Sequence, residues 1–325
     1  MPVGFEALIQ QQSHSVLSPS SPEARLIDRL WDAMYLVSIV VFVLVVAALL
    51  WGVFRRRGAD VPETGARHER GLTTAVSAAT GVTVLILFAF LIYDIVVGRQ
   101  VTTNPGSQAL QIRVTGHQWW WEVQYRDSIP KNWATTANEI HVPTGRPVVL
   151  ELHSGDVIHS FWQPNLSGKR DLIPGNVNSV WFQADTSGVY RGQCAEYCGH
   201  QHAKMAFLVV AQRPDSFAAW LARQRDTALT PTDALARRGQ EVFLASSCVM
   251  CHAVSGTPAG SRIGPDLTHL ASRRTIAAGT LPNTRGNLAG WILDPQRIKP
   301  GVKMPANQLE PDDLQALLAY LETLR

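Results

Sequence analysis

Two long apolar runs come first in the chain, and short alternating runs follow. Residues 33–54 carry no charge, and residues 75–97 carry only Asp94, close to their end. At about 1.5 Å per residue, a helix of either run is long enough to cross a hydrocarbon core of roughly 30 Å. The pattern predicts a transmembrane hairpin over residues 25–100, with helices at 33–54 and 75–97, behind a flexible lead at residues 1–24 that is rich in Ser, Gln and Pro. The first run is too long for a signal peptide, and Arg55-Arg56-Arg57 follows it. Thr73, Thr74, Ser77, Thr80 and Thr83 weaken the second run, and their hydroxyls suit contact with a partner helix. The loop between the helices holds Arg55, Arg56, Arg57, Arg67 and Arg70. The positive-inside rule therefore puts it in the cytoplasm and everything beyond residue 98 outside, together with both termini.

Beyond the membrane the period changes. Gln111–Val114 and Glu139–Val142 alternate, Val148–Leu152 and Val180–Gln183 are richer in apolar residues, and Gly, Pro and Asn separate the runs. Residues 105–212 therefore read as a β-sandwich. Residues 213–232 read as a connector, a polar helix with Trp220 and Arg223 and then a short linker from Thr227 to Thr232. Residues 233–325 read as a small, mostly helical domain. A net charge of +3 over 325 residues, with 17% charged side chains, agrees with a chain partly in lipid. No basic stripe marks it as a nucleic-acid binder.

The chemistry lies in the two outer domains. Cys194-Ala-Glu196-Tyr-Cys198-Gly-His-Gln-His202-Ala-Lys-Met205 combines thiols, imidazole and thioether, with His159 upstream. Thiolates four apart can bridge a pair of metal ions, and this soft donor set suits copper. A Cys194–Cys198 disulfide is the plainer alternative, but it would need neither the histidine nor the methionine. His200 is off the ligand spacing. The other two of the four cysteines lie in Cys248-Val-Met-Cys251-His252, the pattern of covalent c-type haem attachment. Half of a zinc site is excluded because no second cysteine pair lies nearby. Of the five methionines, Met304 in Lys299-Pro-Gly-Val-Lys-Met304-Pro is the one left over for the sixth iron position, with His269 as its competitor.

The copper run resembles that of cytochrome c oxidase subunit II. The surroundings of the haem motif, Gly239–Phe243, Ile263–Leu267 and a terminal helix with Leu317, Tyr320 and Leu321, resemble a class I cytochrome c. The resemblance covers about residues 25–325. It implies a cupredoxin fold and a dinuclear CuA centre held by His159, Cys194, the Glu196 carbonyl, Cys198, His202 and Met205. It also implies that the Glu196 carboxylate can bind a magnesium ion shared with subunit I. Gly116-His-Gln-Trp119-Trp-Trp121 matches the family's aromatic segment. Trp119 then corresponds to the exposed tryptophan through which electrons reach copper, and Trp121 lies toward the membrane partner. The sandwich core and an interfacial aromatic belt are the structural alternative for Trp120 and Trp121. The loop Ser160–Gly175, with Lys169, Arg170 and Asp171, resembles the segment lying over the catalytic subunit. The second helix departs from the family's Glu-x-x-Trp-Thr-x-x-Pro opening. Glu69–Thr74 has neither Trp nor Pro, so no proton entrance is assigned.

The expectation is an electron-transfer subunit in a bacterial inner membrane, its metal domains in the periplasm. Electrons would pass from a soluble or membrane cytochrome, or another donor, through haem c and CuA to subunit I, which reduces oxygen to water. Subunit III is the other expected neighbour. A flexible linker would hold the haem domain near Trp119 at high effective concentration. A CuA-containing nitric oxide reductase shares the relay and differs in its partner. A copper chaperone would lack the haem motif, and a nitrous oxide reductase would need a histidine cluster that the ten scattered histidines do not form.

Overall fold

The computed structural model describes residues 14–55, 66–103, 105–106, 108–129 and 132–325. Most of the arginine loop used to orient the hairpin, Arg56 and Arg57 included, lies outside them. The chain divides into two compact units, residues 25–103 and residues 1–24 with 104–325.

The first unit is built from helices α1 (Pro22–Arg55) and α2 (Ala66–Thr102). Both outrun the apolar stretches because polar turns continue them, and both are long and apolar enough to cross a membrane. The hydroxyls in the weaker half of α2 do not need a partner helix. Thr73, Thr80 and Thr83 donate to the carbonyls of Glu69, Val76 and Ala79, each at 2.9 Å. Bonded within their own helix, they can lie in an apolar medium at little cost.

The second unit opens with a ten-stranded sandwich: β1 (Leu110–His117), β2 (Trp120–Tyr125), β3 (Ala134–Ala137), β4 (Glu139–Pro143), β5 (Val148–Ser154), β6 (His159–Trp162), β7 (Arg170–Leu172), β8 (Asn178–Phe182), β9 (Gly188–Cys194) and β10 (Ala206–Gln212). One sheet has the order β3-β2-β1-β5-β8 and the other β4-β10-β9-β6-β7. Strand pairs β1/β5 and β4/β10 are parallel and the rest antiparallel, the mixed pairing of a cupredoxin-like fold. Alternation sends Ile112, Val114, Trp121, Val123, Leu150, Phe161 and Phe207 into a single core.

Two expectations about the segments bordering this sandwich are corrected. The N-terminal lead is not free from Ser15 onward. Ser20 N–H donates to the Asn165 carbonyl at 2.7 Å, Ser21 Oγ donates to the Leu166 carbonyl, and the Asn165 amide donates to the carbonyls of Ser15 and Ser18. The connector is likewise part of the sandwich. Its helix α3 (Pro214–Arg223) buries Phe217 and Trp220 against Tyr125, and Trp220 stacks on His141 at 4.0 Å.

The last domain contains α4 (Ala234–Ala245), α5 (Arg285–Leu293), α6 (Pro295–Ile298) and α7 (Pro311–Leu321), with a two-stranded hairpin of β11 (Thr275–Ile276) and β12 (Leu281–Pro282). Asp233 caps α4 by accepting the Ala236 N–H. Helices α4 and α7 cross at Gly239, where a Cβ would lie 1.9 Å from the Ala316 carbonyl oxygen. Only glycine allows that approach.

This domain is docked on the sandwich, not tethered to it. The buried Glu139 carboxylate accepts the N–H groups of Arg274 at 2.6 Å and Thr275 at 3.0 Å. Ala206 N–H donates to the Ala278 carbonyl, Gln201 Nε2 to the Pro300 carbonyl, and Lys204 Nζ to the Ile298 carbonyl. The expected flexible linker is held as well. Arg225 pairs with Asp127 at 3.0 Å, and Ala228 N–H donates to the Ser255 carbonyl.

Candidate metal centre and haem cavity

The copper candidates converge at one end of the sandwich. His159 starts β6, Cys194 ends β9, and the loop from Cys194 returns to β10 just after Met205. The Cys194 N–H donates to the Met205 carbonyl at 2.9 Å and closes the loop. Cys194 Sγ lies 3.9 Å from His159 Nδ1, 3.2 Å from the Glu196 carbonyl oxygen and 3.8 Å from Cys198 Sγ. Cys198 Sγ lies 3.6 Å from His202 Nδ1 and 3.8 Å from Met205 Sδ. The cysteines are free thiols, so the disulfide alternative does not describe this site. The donor atoms of His159, Cys194 and Cys198 all lie within 4.8 Å of one another, and all three residues are buried. This soft set, gathered around two sulfurs, fits a thiolate-bridged copper pair.

The surroundings orient the donors. Asp156 Oδ1 lies 2.8 Å from His159 Nε2, leaving Nδ1 facing Cys194. Burial would raise the Asp156 pKa, but the hydrogen bonds from His159 and from the Gln118 and Val157 amides hold it well below the usual carboxylate range. Contacts with Cys198 and His159 outweigh burial and hold the Cys194 thiol well below its usual range. A carboxylate behind a ligand histidine fixes its ring and strengthens its donor nitrogen. Asp156→Asn should therefore weaken copper binding by about 10- to 100-fold. Competition with a copper chelator measures this, and an unchanged affinity would remove Asp156 from the site.

The tryptophans are not arranged as expected. Trp119 is not an exposed port: it is only 6% exposed and lines the same cavity as the haem-motif residues. Its indole Nε1 donates to the Cys198 carbonyl at 2.9 Å, beside Gln118 Nε2 at 2.8 Å. Trp121 is fully buried. Strand alternation turns it fully inward against His159, Phe161 and Phe207. Trp120 points the other way, stacks on His117 at 4.6 Å, and joins Trp119 in the cavity wall.

That cavity, about 620 Å³, brings together Cys248, Cys251, His252 and Met304. His252 Nδ1 is 2.7 Å from the Pro265 carbonyl, which leaves Nε2 for a metal. Gln296 Nε2 donates to the carbonyls of Val302 and Met304 and holds the methionine loop in place. His269 is not part of the cavity wall. Its ring nitrogens face the carbonyls of Arg325 and Asp226 at 2.8 and 3.2 Å. Buried Arg273 is in the wall, and its Nε has no hydrogen-bond partner among the described residues. Paired thiols, a histidine with one nitrogen committed, a thioether and a buried cation with one donor left over all fit a covalently held, anionic haem.

Asp156, His117, Gln296 and Lys299 were given no role from the sequence. Asp156 had a local signal, an Asp-x-x-His spacing before a ligand histidine. Lys299 had none, because a lysine before Pro-Gly looks like a solvated turn.

Fold and site together define a cupredoxin domain of the CuA type joined to a c-type cytochrome. Residues 131–212 match the family described as cytochrome c oxidase subunit II, periplasmic domain, and residues 236–325 match cytochrome c. Cytochrome c oxidase subunit 2 of Alkalihalophilus pseudofirmus is 36% identical over 341 residues, covering 100% of this chain and 96% of the relative. The protein of the same name from a Bacillus strain, PS3, is 37% identical over 66% of this chain and 62% of its own length. The crystal structure of the periplasmic domain of subunit II of the Bradyrhizobium japonicum oxidase is 30% identical, with a TM-score of 0.35, over 37% of this chain and 96% of that one. The chain belongs to the cytochrome c oxidase subunit 2 family. It is an electron-transfer subunit of a haem–copper terminal oxidase, and its two domains imply CuA and haem.

Proposed function

We propose that this chain is the electron-input subunit of a respiratory oxidase, receiving electrons from a cytochrome c or another donor. They pass through haem c and CuA to subunit I, with subunit III alongside. Each bound centre, when present, takes up and releases one electron. Cys248 and Cys251 would hold the haem covalently, with His252 and Met304 supplying ligands to its iron. His159, Cys194, the Glu196 carbonyl, Cys198, His202 and Met205 hold the copper pair. The half-buried Glu196 carboxylate is available to a magnesium ion shared with subunit I. The hairpin α1–α2 spans the inner membrane twice, with both termini and the metal domains in the periplasm.

One observation carries this reading. Trp119 is at once part of the haem-cavity wall and a hydrogen-bond donor to the backbone of a copper ligand. It bridges the two sites. Purification of the complex from its native membrane, with identification of its partner and a gas-uptake assay, tests the function. Oxygen consumption driven by a reduced cytochrome c is expected, and consumption of nitric oxide in its place would make the complex a nitric oxide reductase. The axial assignment has its own test. Met304→Ala should abolish the sulfur-to-iron band at the red end of the visible spectrum and lower the haem potential, while His269→Ala leaves both unchanged. The reverse pattern would make His269 the ligand.

A further inference from the structure

Lys299 is 1% exposed, and among the described residues no carboxylate pairs with it. Its Nζ donates to the carbonyl of Trp119 at 3.1 Å and to that of Ala277 at 3.2 Å. Burial, with a contribution from the nearby Lys204 charge, pulls the ammonium from its usual value down to about 7. Such a group is costly to bury, and an apolar side chain of the same length would fill the space with less loss.

Its surroundings suggest what the charge does. Lys299 follows α6 and shares the haem-cavity wall with Trp119, Ala277 and Met304. The copper loop grips the chain on both sides of it: Lys204 bonds the Ile298 carbonyl, and Gln201 bonds that of Pro300. These two grips flank His202 in the sequence. Lys299 then reaches through the interface to the backbone of the residue whose indole bonds the Cys198 carbonyl. The methionine loop, the bridging tryptophan and the copper loop are therefore tied together at one side chain.

We propose that Lys299 is a positioning residue for electron transfer between the two centres, fixing the Trp119 backbone, and so its indole, between the haem-ligand loop and the copper loop. The proposal rests on Trp119 being the bridge. The residues would hold the path for one electron, which would leave a reduced haem and be taken up by an oxidised copper pair. No bond forms or breaks, and no proton is required.

The test uses the full chain in its assembled complex, with both centres loaded. Lys299→Met keeps the side-chain length and removes the donors. Glu139→Ala removes another buried interdomain anchor that touches neither Trp119 nor a metal ligand. Flash-induced transfer from haem c to copper should slow by about 10- to 100-fold in Lys299→Met. In Glu139→Ala it should stay within about twofold of the wild type. Amide exchange at residues 119–121 should quicken in Lys299→Met, with copper and haem spectra unchanged, and Lys299→Arg should recover part of the rate. A wild-type rate in Lys299→Met, or equal slowing in both variants, overturns the proposal. If Lys299→Met does not assemble, Lys299→Gln takes its place under the same criteria. A fast Trp119→Phe would instead overturn the bridge on which the proposal rests.

Discussion

Trp119→Phe will slow electron transfer from haem c to the copper pair by about 10- to 100-fold while both centres remain loaded. Phenylalanine keeps an aromatic ring in the cavity wall but has no N–H, so the 2.9 Å bond to the Cys198 carbonyl is lost. Gln118 still donates to that carbonyl at 2.8 Å, and the copper loop therefore keeps its position and its spectrum. Transfer from copper onward to the catalytic subunit is unchanged, because Trp119 stands on the haem side. Trp121→Phe gives the opposite result. That indole is wholly enclosed by His159, Phe161 and Phe207, so its loss costs about 1–3 kcal/mol of domain stability and leaves the haem-to-copper rate nearly intact. Flash photolysis, followed separately at the haem and copper absorbances, distinguishes the two variants. Wild-type kinetics in a folded Trp119→Phe chain would make Trp119 a packing residue only.

Cys198→Ser will abolish the copper pair. Cys198 Sγ is the atom that meets Cys194, His202 and Met205 at once, at 3.6 to 3.8 Å. A serine oxygen is hard, stays protonated at neutral pH and does not bridge two coppers as a thiolate does. The wild type should give a paramagnetic resonance spectrum in which one unpaired electron is shared over two copper nuclei. The variant should give a single-copper spectrum or none, with oxygen uptake through this chain at background. The haem c spectrum should survive, because Cys248, Cys251, His252 and Met304 lie in the other domain. A single-copper spectrum from a fully loaded wild type would contradict the dinuclear assignment.

The copper loop was legible because most of its donors are consecutive in one turn between two strands, where spacing alone carries geometry. His159 lies 35 residues before Cys194, and it was the resemblance to the family, not spacing, that added it to the donor set. The haem motif and the apolar runs are equally local, as are the alternating strands. What could not be read depends on how the domains dock. Trp119 was expected to be exposed and is covered here because the haem domain sits on it, held by Gln201 and Lys204 on either side of Lys299. Trp121 was placed by analogy, and its burial against His159 was readable from strand alternation alone. Ser15–Ala24 looked like a free lead by composition, yet its backbone is held by Asn165, which lies far along the chain. The contacts of Lys299, and the placing of Met304 in the cavity wall with the His269 ring turned toward the Arg325 and Asp226 carbonyls, are encoded by no periodicity.

The central claim is that electrons reach copper only through haem c, because the docked domain covers Trp119. Rapid mixing of the oxidised, purified complex with a reduced donor cytochrome tests it most directly, with haem c, copper and the partner haem followed at separate wavelengths. The account predicts that haem c is reduced first and copper only after a lag, and that copper stays oxidised in a Cys248→Ala/Cys251→Ala chain that lacks haem c. Copper reduced at the wild-type rate in that haem-free chain would contradict it.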